Sequence, residues 1–246
     1  MKLFSVSLVL AITAGCFDDG SQAQIVTRYS VSDGKTVLID GVANILMRVE
    51  NPQGSLLLLA GGSQRLNVGA NGTFTDQAFS PIIRNRDAFA AKGFNVLLVD
   101  KATSLSTAVE YMAGLKRPVT IVAISNATRR TAKALAEGAK PDKVVLASGE
   151  LTALSGPLEG VADILGKPGL LPPTLVIHHR NDSCPYTNPA GVTAFQSWAG
   201  DHVQEVVWFE GGTGTASGCA SMGHHGFGGQ DAELISHVAG FAAAKR

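Results

Sequence analysis

The chain has 246 residues, 45% apolar and 16% charged, with 20 basic and 20 acidic side chains that cancel to zero formal net charge. That much apolar material excludes a chain that stays disordered, and the neutral balance leaves no basic face for nucleic acid. No polar linker interrupts the sequence, so its length reads as one domain rather than two.

The opening stretch MKLFSVSLVLAITAGCFDDGSQAQ places one lysine before an apolar run from Leu3 to Ala14. This is the order of a secretory signal peptide, and the run is too short for a membrane span. Ser21-Gln22-Ala23 puts small residues three and one before a cut, so residues 1–23 are expected to be a signal peptide and 24–246 the remaining domain. A lipoprotein signal competes, with a lipid anchor at Cys16, although Thr13 stands where such signals usually carry leucine. Either route exports the chain, to the periplasm or beyond. In an oxidising compartment the remaining pair, Cys184 and Cys219, most simply forms a disulfide; two buried free thiols are the alternative.

Apolar runs of strand length follow at Ala43–Val49, Ser55–Leu59, Asn95–Val99, Val119–Ile124, Lys143–Ala147, Thr174–His178 and Gln204–Phe209. Between them lie helix-compatible stretches at Pro81–Ala91, Leu105–Leu115, Ala127–Glu137, Pro189–Trp198 and Asp231–Ala244. Strands with little polar alternation, separated by helices, demand a mostly parallel sheet covered on both faces. The first strands arrive without helices between them, which predicts an antiparallel hairpin at one edge of this doubly wound α/β fold. Leu151 to Pro173 breaks the alternation with glycine and proline; it is long enough for a flap, and too short for a large cap domain.

Three segments carry candidate chemistry. In IVAISNATRR, Ser125 stands at a strand-to-helix corner, where a nucleophile elbow needs small residues two before and two after. Here these are Ala123 and Ala127 rather than the usual glycines. The competing reading makes Ser125 or Asn126 a helix N-cap. Downstream, TLVIHHRNDSCP ends a strand with Asp182, and GCASMGHHGFGG brings His224 and His225 on a glycine-rich loop. A serine nucleophile needs a base and a group to orient that base, and the chain order is Ser, Asp, His. Asp182 is favoured over Glu150, because the helix and strand leading to the histidine loop follow it, and His225 over its neighbour His224. Earlier, SLLLLAGGSQRL runs a leucine strand into Gly61-Gly62, a loop able to offer a backbone N–H to an oxyanion alongside that of Asn126. Arg84 and Asp100, near element ends, read as structural.

With these segments in order, the chain resembles the α/β-hydrolase superfamily, most closely the small, largely uncapped members of the dienelactone-hydrolase and serine-esterase type. The likeness runs from about Leu56 to the C-terminus and includes RNRDAFAAKGFNVLLVD and PVTIVAISNATRRTAKALA. It implies Ser125 as nucleophile, His225 as base, Asp182 as its orienter, and backbone N–H groups of Gly62, Ser63 and Asn126 as oxyanion hole. It also implies a small-molecule ester as substrate and no cofactor. The departure from that pattern is the alanine pair flanking the serine.

Two rival readings have their own signatures. The histidines, Asp182 and the cysteines are residue types that bind zinc. However, adjacent His178 and His179 on a strand point to opposite faces, and no C-x₂-C or H-E-x-x-H spacing is present, so no metal is expected. The other rival is a hydrolase-fold binding protein without catalysis, whose serine would not react with an electrophile.

Overall fold

Strands that are apolar on both faces need helices on both. In the computed structural model of the protein, which describes residues 27–30, 33–214 and 216–244, they have them. The expected signal peptide and Cys16 lie outside the described residues. Eight strands form one sheet: β1 (Gly34–Ile39), β2 (Val42–Met47), β3 (Gly54–Leu59), β4 (Phe94–Leu98), β5 (Val119–Ile124), β6 (Lys143–Ala147), β7 (Thr174–His179) and β8 (Val203–Phe209). Their order across the sheet is β1-β2-β4-β3-β5-β6-β7-β8. The β2 strand runs antiparallel to β1 and β4, and every pairing from β4 to β8 is parallel.

The helices are α1 (Pro81–Arg84), α2 (Arg86–Ala91), α3 (Leu105–Leu115), α4 (Ala127–Ala136), α5 (Val161–Leu165), α6 (Ala190–Ala199) and α7 (Asp231–Ala243). Alternate strand residues sort into two buried clusters, as a period of two requires. Leu57, Leu59, Ile121 and Ala123 pack with α3, α4, α5 and α6, whereas Leu56, Leu58, Val122 and Ile124 pack with α1, α2 and α7. Adjacent strands β3 and β5 therefore lead to helices on opposite faces. Their two loops diverge at this switch point and leave a crevice at the carboxyl end of the sheet.

Three expectations need correction. The hairpin at the edge includes β1, a strand absent from the apolar runs: it is an edge strand, largely half-exposed, and Leu38 on it is 68% exposed. Its Asp40-Gly41 turn has φ of 50° and 77°, the two positive values of a type I′ hairpin. The single helix expected over Pro81–Ala91 is divided at Asn85, whose amide donates instead to the Pro81 carbonyl and to Asp231. The segment from Leu151 to Pro173 is mostly not a free flap, because it buries Leu151, Val161, Leu165 and Leu171 in the core, while Leu154 and Leu158 on its first turn stay exposed.

Candidate active site

Ser125 follows β5 with φ of +56°, a left-handed backbone that an L-residue with a β-carbon rarely adopts and that clusters at functional sites. The serine backbone is held from two sides. Its N–H donates to the Ala147 carbonyl at 3.0 Å, and its carbonyl accepts from the N–H and hydroxyl of Thr128. Neither Ser125 nor Asn126 caps α4 with its side chain. The Asn126 amide instead bridges to the loop after β3, donating to the Gly62 carbonyl at 2.7 Å and accepting from Gln64 Nε2 at 3.1 Å. Ala123 and Ala127 are both fully buried in one apolar cluster, so the corner forms with two methyl groups in place.

The loop after β3 lies against the serine. A β-carbon on Gly61 would sit 2.9 Å from Ser125 Cβ, so only glycine permits this approach, and Gly62 at φ +57° turns the chain away. Gly61, Gly62, Asn126, Ser125 and His225 all border one cavity of about 460 Å³. Among the described residues, the N–H groups of Gly62 and Asn126 donate to no protein acceptor. Ser63, the third residue expected there, lies outside the cavity lining, where its hydroxyl accepts from Gln77.

Asp182 is buried near the start of the loop after β7. Its Oδ2 is 3.0 Å from His225 Nδ1 and accepts from the Thr187 hydroxyl at 2.9 Å, while Oδ1 accepts from the Cys184 N–H at 2.9 Å. The Ser148 hydroxyl donates to the His225 carbonyl at 2.8 Å. Arg84 holds the histidine loop from the other side, donating to Asp231 and to the carbonyls of Phe79, Ser221 and Gly226. Asp100 accepts from the N–H groups of Leu66 and Ala102, a turn-holding role. Among the described residues no hydrogen bond joins Ser125 Oγ to His225; such bonds commonly tighten only with substrate bound.

The alternatives weighed from sequence occupy other places. His224 stacks on His179, with ring centroids 4.3 Å apart, and makes no bond to Asp182. His179 accepts from the Asn181 N–H at Nδ1 and pairs with the Gly211 carbonyl at Nε2, so its Nε2 carries the proton. Burial, above all, holds both His178 and His179 below the ordinary imidazole value. Among the described residues no group of three His, Cys, Asp or Glu side chains could hold a metal ion.

Glu150 is buried in the cavity wall beside Arg129, with 3.3 Å between Oε2 and Nε, and not at His225 Nδ1. Burial pushes its carboxyl above the ordinary value, with Arg129 and then His225 opposing that shift. A raised folded-state value gives stability that is full below the unfolded value of about 4.3 and is lost as pH rises through the folded one. Glu150→Gln, which does not titrate, is therefore expected to gain thermal midpoint relative to wild type as pH increases from 4 to 8. A midpoint difference that is flat or shrinks over that range would contradict the assignment.

Cys184 and Cys219 form a disulfide across 35 residues of sequence. Cys184 lies two residues after Asp182 and Cys219 six before His225, so the bond ties the acid loop to the base loop. Closing such a loop stabilises by at most about 4 kcal/mol in the chain-entropy model. Complete reduction is expected to lower the thermal midpoint, measured by differential scanning fluorimetry; an unchanged midpoint would exclude that stabilising role.

No protein-family model matches the sequence, and no curated protein matches it. Solved structures do match in fold. The esterase Pf2001 of Pyrococcus furiosus aligns with a TM-score of 0.58 at 13% identity, covering 85% of this chain and 91% of that one. The esterase domain of a Rhodothermus marinus protein aligns with a TM-score of 0.59 at 12% identity, covering 86% and 98%. TT1662 of Thermus thermophilus aligns with a TM-score of 0.57 at 14% identity, covering 86% and 98%. The chain has the α/β-hydrolase fold, with no large cap among the described residues.

Proposed function

We propose that this protein is an exported serine hydrolase that cleaves a carboxylic ester through an acyl-enzyme. The observation that carries the reading is the left-handed Ser125, pressed against Gly61 in a cavity that His225, bonded to Asp182, also borders. Two of the similar structures bear the name esterase, which fits this reading.

Ser125 Oγ attacks the ester carbonyl while His225 Nε2 takes its proton. Asp182 and Thr187 both accept at Nδ1–H and so keep the lone pair on Nε2. Negative charge on the carbonyl oxygen is met by the N–H groups of Gly62 and Asn126. The imidazolium then delivers its proton to the leaving alcohol, and water repeats the cycle on the acyl-enzyme. Gly61 and the Asn126 amide are positioning elements that fix the distance between nucleophile and oxyanion loop.

A fluorophosphonate probe tests the reading without knowledge of the natural substrate. The folded protein is expected to form one covalent adduct, located by mass spectrometry at Ser125. An intact protein that stays unlabelled would refute catalysis in favour of a hydrolase-fold binding protein.

A further inference from the structure

The exposed apolar surface is concentrated around the cavity mouth. Among the described residues six large apolar side chains are exposed: Leu38, Phe79, Leu154, Leu158, Tyr186 and Met222. All except Leu38 sit on four loops, and each loop also lines the cavity, through Ser80, Leu158, Tyr186 and Ser221. Within the stretches 77–80, 151–160, 183–188 and 219–223 the only charged side chain is Glu159, although the chain as a whole is 16% charged.

These loops are joined into one collar. A β-carbon on Gly156 would meet the Pro185 carbonyl at 2.6 Å and Tyr186 Cα at 2.8 Å, so the turn carrying Leu154 and Leu158 lies directly on the Tyr186 loop. The Ser155 carbonyl accepts from the Asn188 N–H at 2.8 Å and reinforces that contact. Disulfide Cys184–Cys219 links the Tyr186 loop to the Met222 loop. Arg84 closes the far side by donating to the carbonyls of Phe79 and Ser221. The result is a set of braced loops that carry exposed apolar side chains around the mouth of the cavity that holds Ser125. Exposed apolar side chains gathered at one opening, rather than scattered singly over the surface, mark an interaction site.

We propose that this collar seats the protein on the surface of a water-insoluble, uncharged ester, presented as droplets, so that ester groups enter the cavity from the aggregate. The occupant is neutral because the four loop stretches carry no Lys or Arg, and Arg84, which braces them, is paired with Asp231, whereas an anionic bilayer is recognised through Lys and Arg. It is an ester because the cavity inside the rim is the one assigned above to ester cleavage, and in that respect the proposal rests on the serine-hydrolase reading.

Flotation of the full-length Ser125→Ala protein with emulsified tributyrin tests it, since binding is then read without turnover. Ser125→Ala is expected to float with the droplets. Adding Phe79→Ser, Leu154→Ser and Met222→Ser is expected to cut the bound fraction at least tenfold, whereas Leu38→Ser, at the sheet edge, leaves it unchanged. The thermal midpoint of each variant confirms folding, and single substitutions replace the triple one if it fails to fold. Equal flotation of the collar and parent proteins, a loss as large for Leu38→Ser, or stronger capture by anionic phosphatidylglycerol vesicles would each overturn the proposal. Failed flotation with wild-type Ser125 still labelled by fluorophosphonate removes this inference alone; failed labelling with intact flotation removes the catalytic reading, and with it the argument that the occupant is an ester, and leaves the seating on neutral droplets.

Discussion

Replacing Ser125 by alanine is expected to lower ester turnover by about a thousandfold to a millionfold, because nucleophile, base and orienter act as a unit. The same substitution is expected to leave the fold almost untouched. Alanine keeps the β-carbon, so the cost of holding φ at +56° is the same before and after, and the serine hydroxyl makes no hydrogen bond among the described residues whose loss would be felt. A helix-capping serine would behave in the opposite way: its removal would cost about 1 kcal/mol of stability and leave activity alone. Initial rates on a soluble p-nitrophenyl ester, paired with thermal unfolding, separate the two. Ser125→Gly extends the comparison, since glycine adopts positive φ freely and is expected to be more stable than the alanine variant while equally inactive. Turnover within tenfold of wild type for either variant would refute Ser125 as nucleophile.

The parts of this arrangement that were legible in the sequence are those written in local pattern. The buried parallel strands are apolar runs, and Ser125, Asp182 and His225 each follow a strand or a glycine-rich loop in the expected order. The edge strand Gly34–Ile39 was missed because its outer residues are solvated and break the apolar run, although Asp40-Gly41 is a hairpin signal that marks its end. The supporting contacts were beyond pattern for a different reason. Thr187 reaches Asp182 and His225 through a loop, Arg84 reaches Ser221 across 137 residues, and the Asn126 amide meets Gly62 across 64. Such pairings arise only when the sheet brings distant loops to one end. The same holds for the collar, whose five apolar side chains are scattered in sequence on loops joined by the disulfide, Arg84 and the Gly156 contact.

Those loop contacts give Asp182→Asn a specific expected outcome: turnover falls by about ten-thousandfold while the thermal midpoint moves far less. The argument turns on proton positions. Asp182 Oδ1 accepts from the Cys184 N–H, so an asparagine at this site keeps its carbonyl oxygen there and presents its amide nitrogen where Oδ2 was. That nitrogen donates, whereas Oδ2 accepted from both the Thr187 hydroxyl and His225. His225 Nδ1, 3.0 Å away, is then an acceptor, and its proton resides on Nε2. An imidazole with hydrogen on Nε2 has no lone pair for the serine proton, so the base is lost while ring, loop and disulfide stay in place. The thermal midpoint and the intact disulfide report the preserved structure, and fluorophosphonate labelling is expected to slow along with turnover, because both need an activated serine. An Asp182→Asn protein that turns over soluble ester within tenfold of wild type would mean that the imidazole is oriented by another group, with Glu150 in the cavity wall the carboxylate to test next.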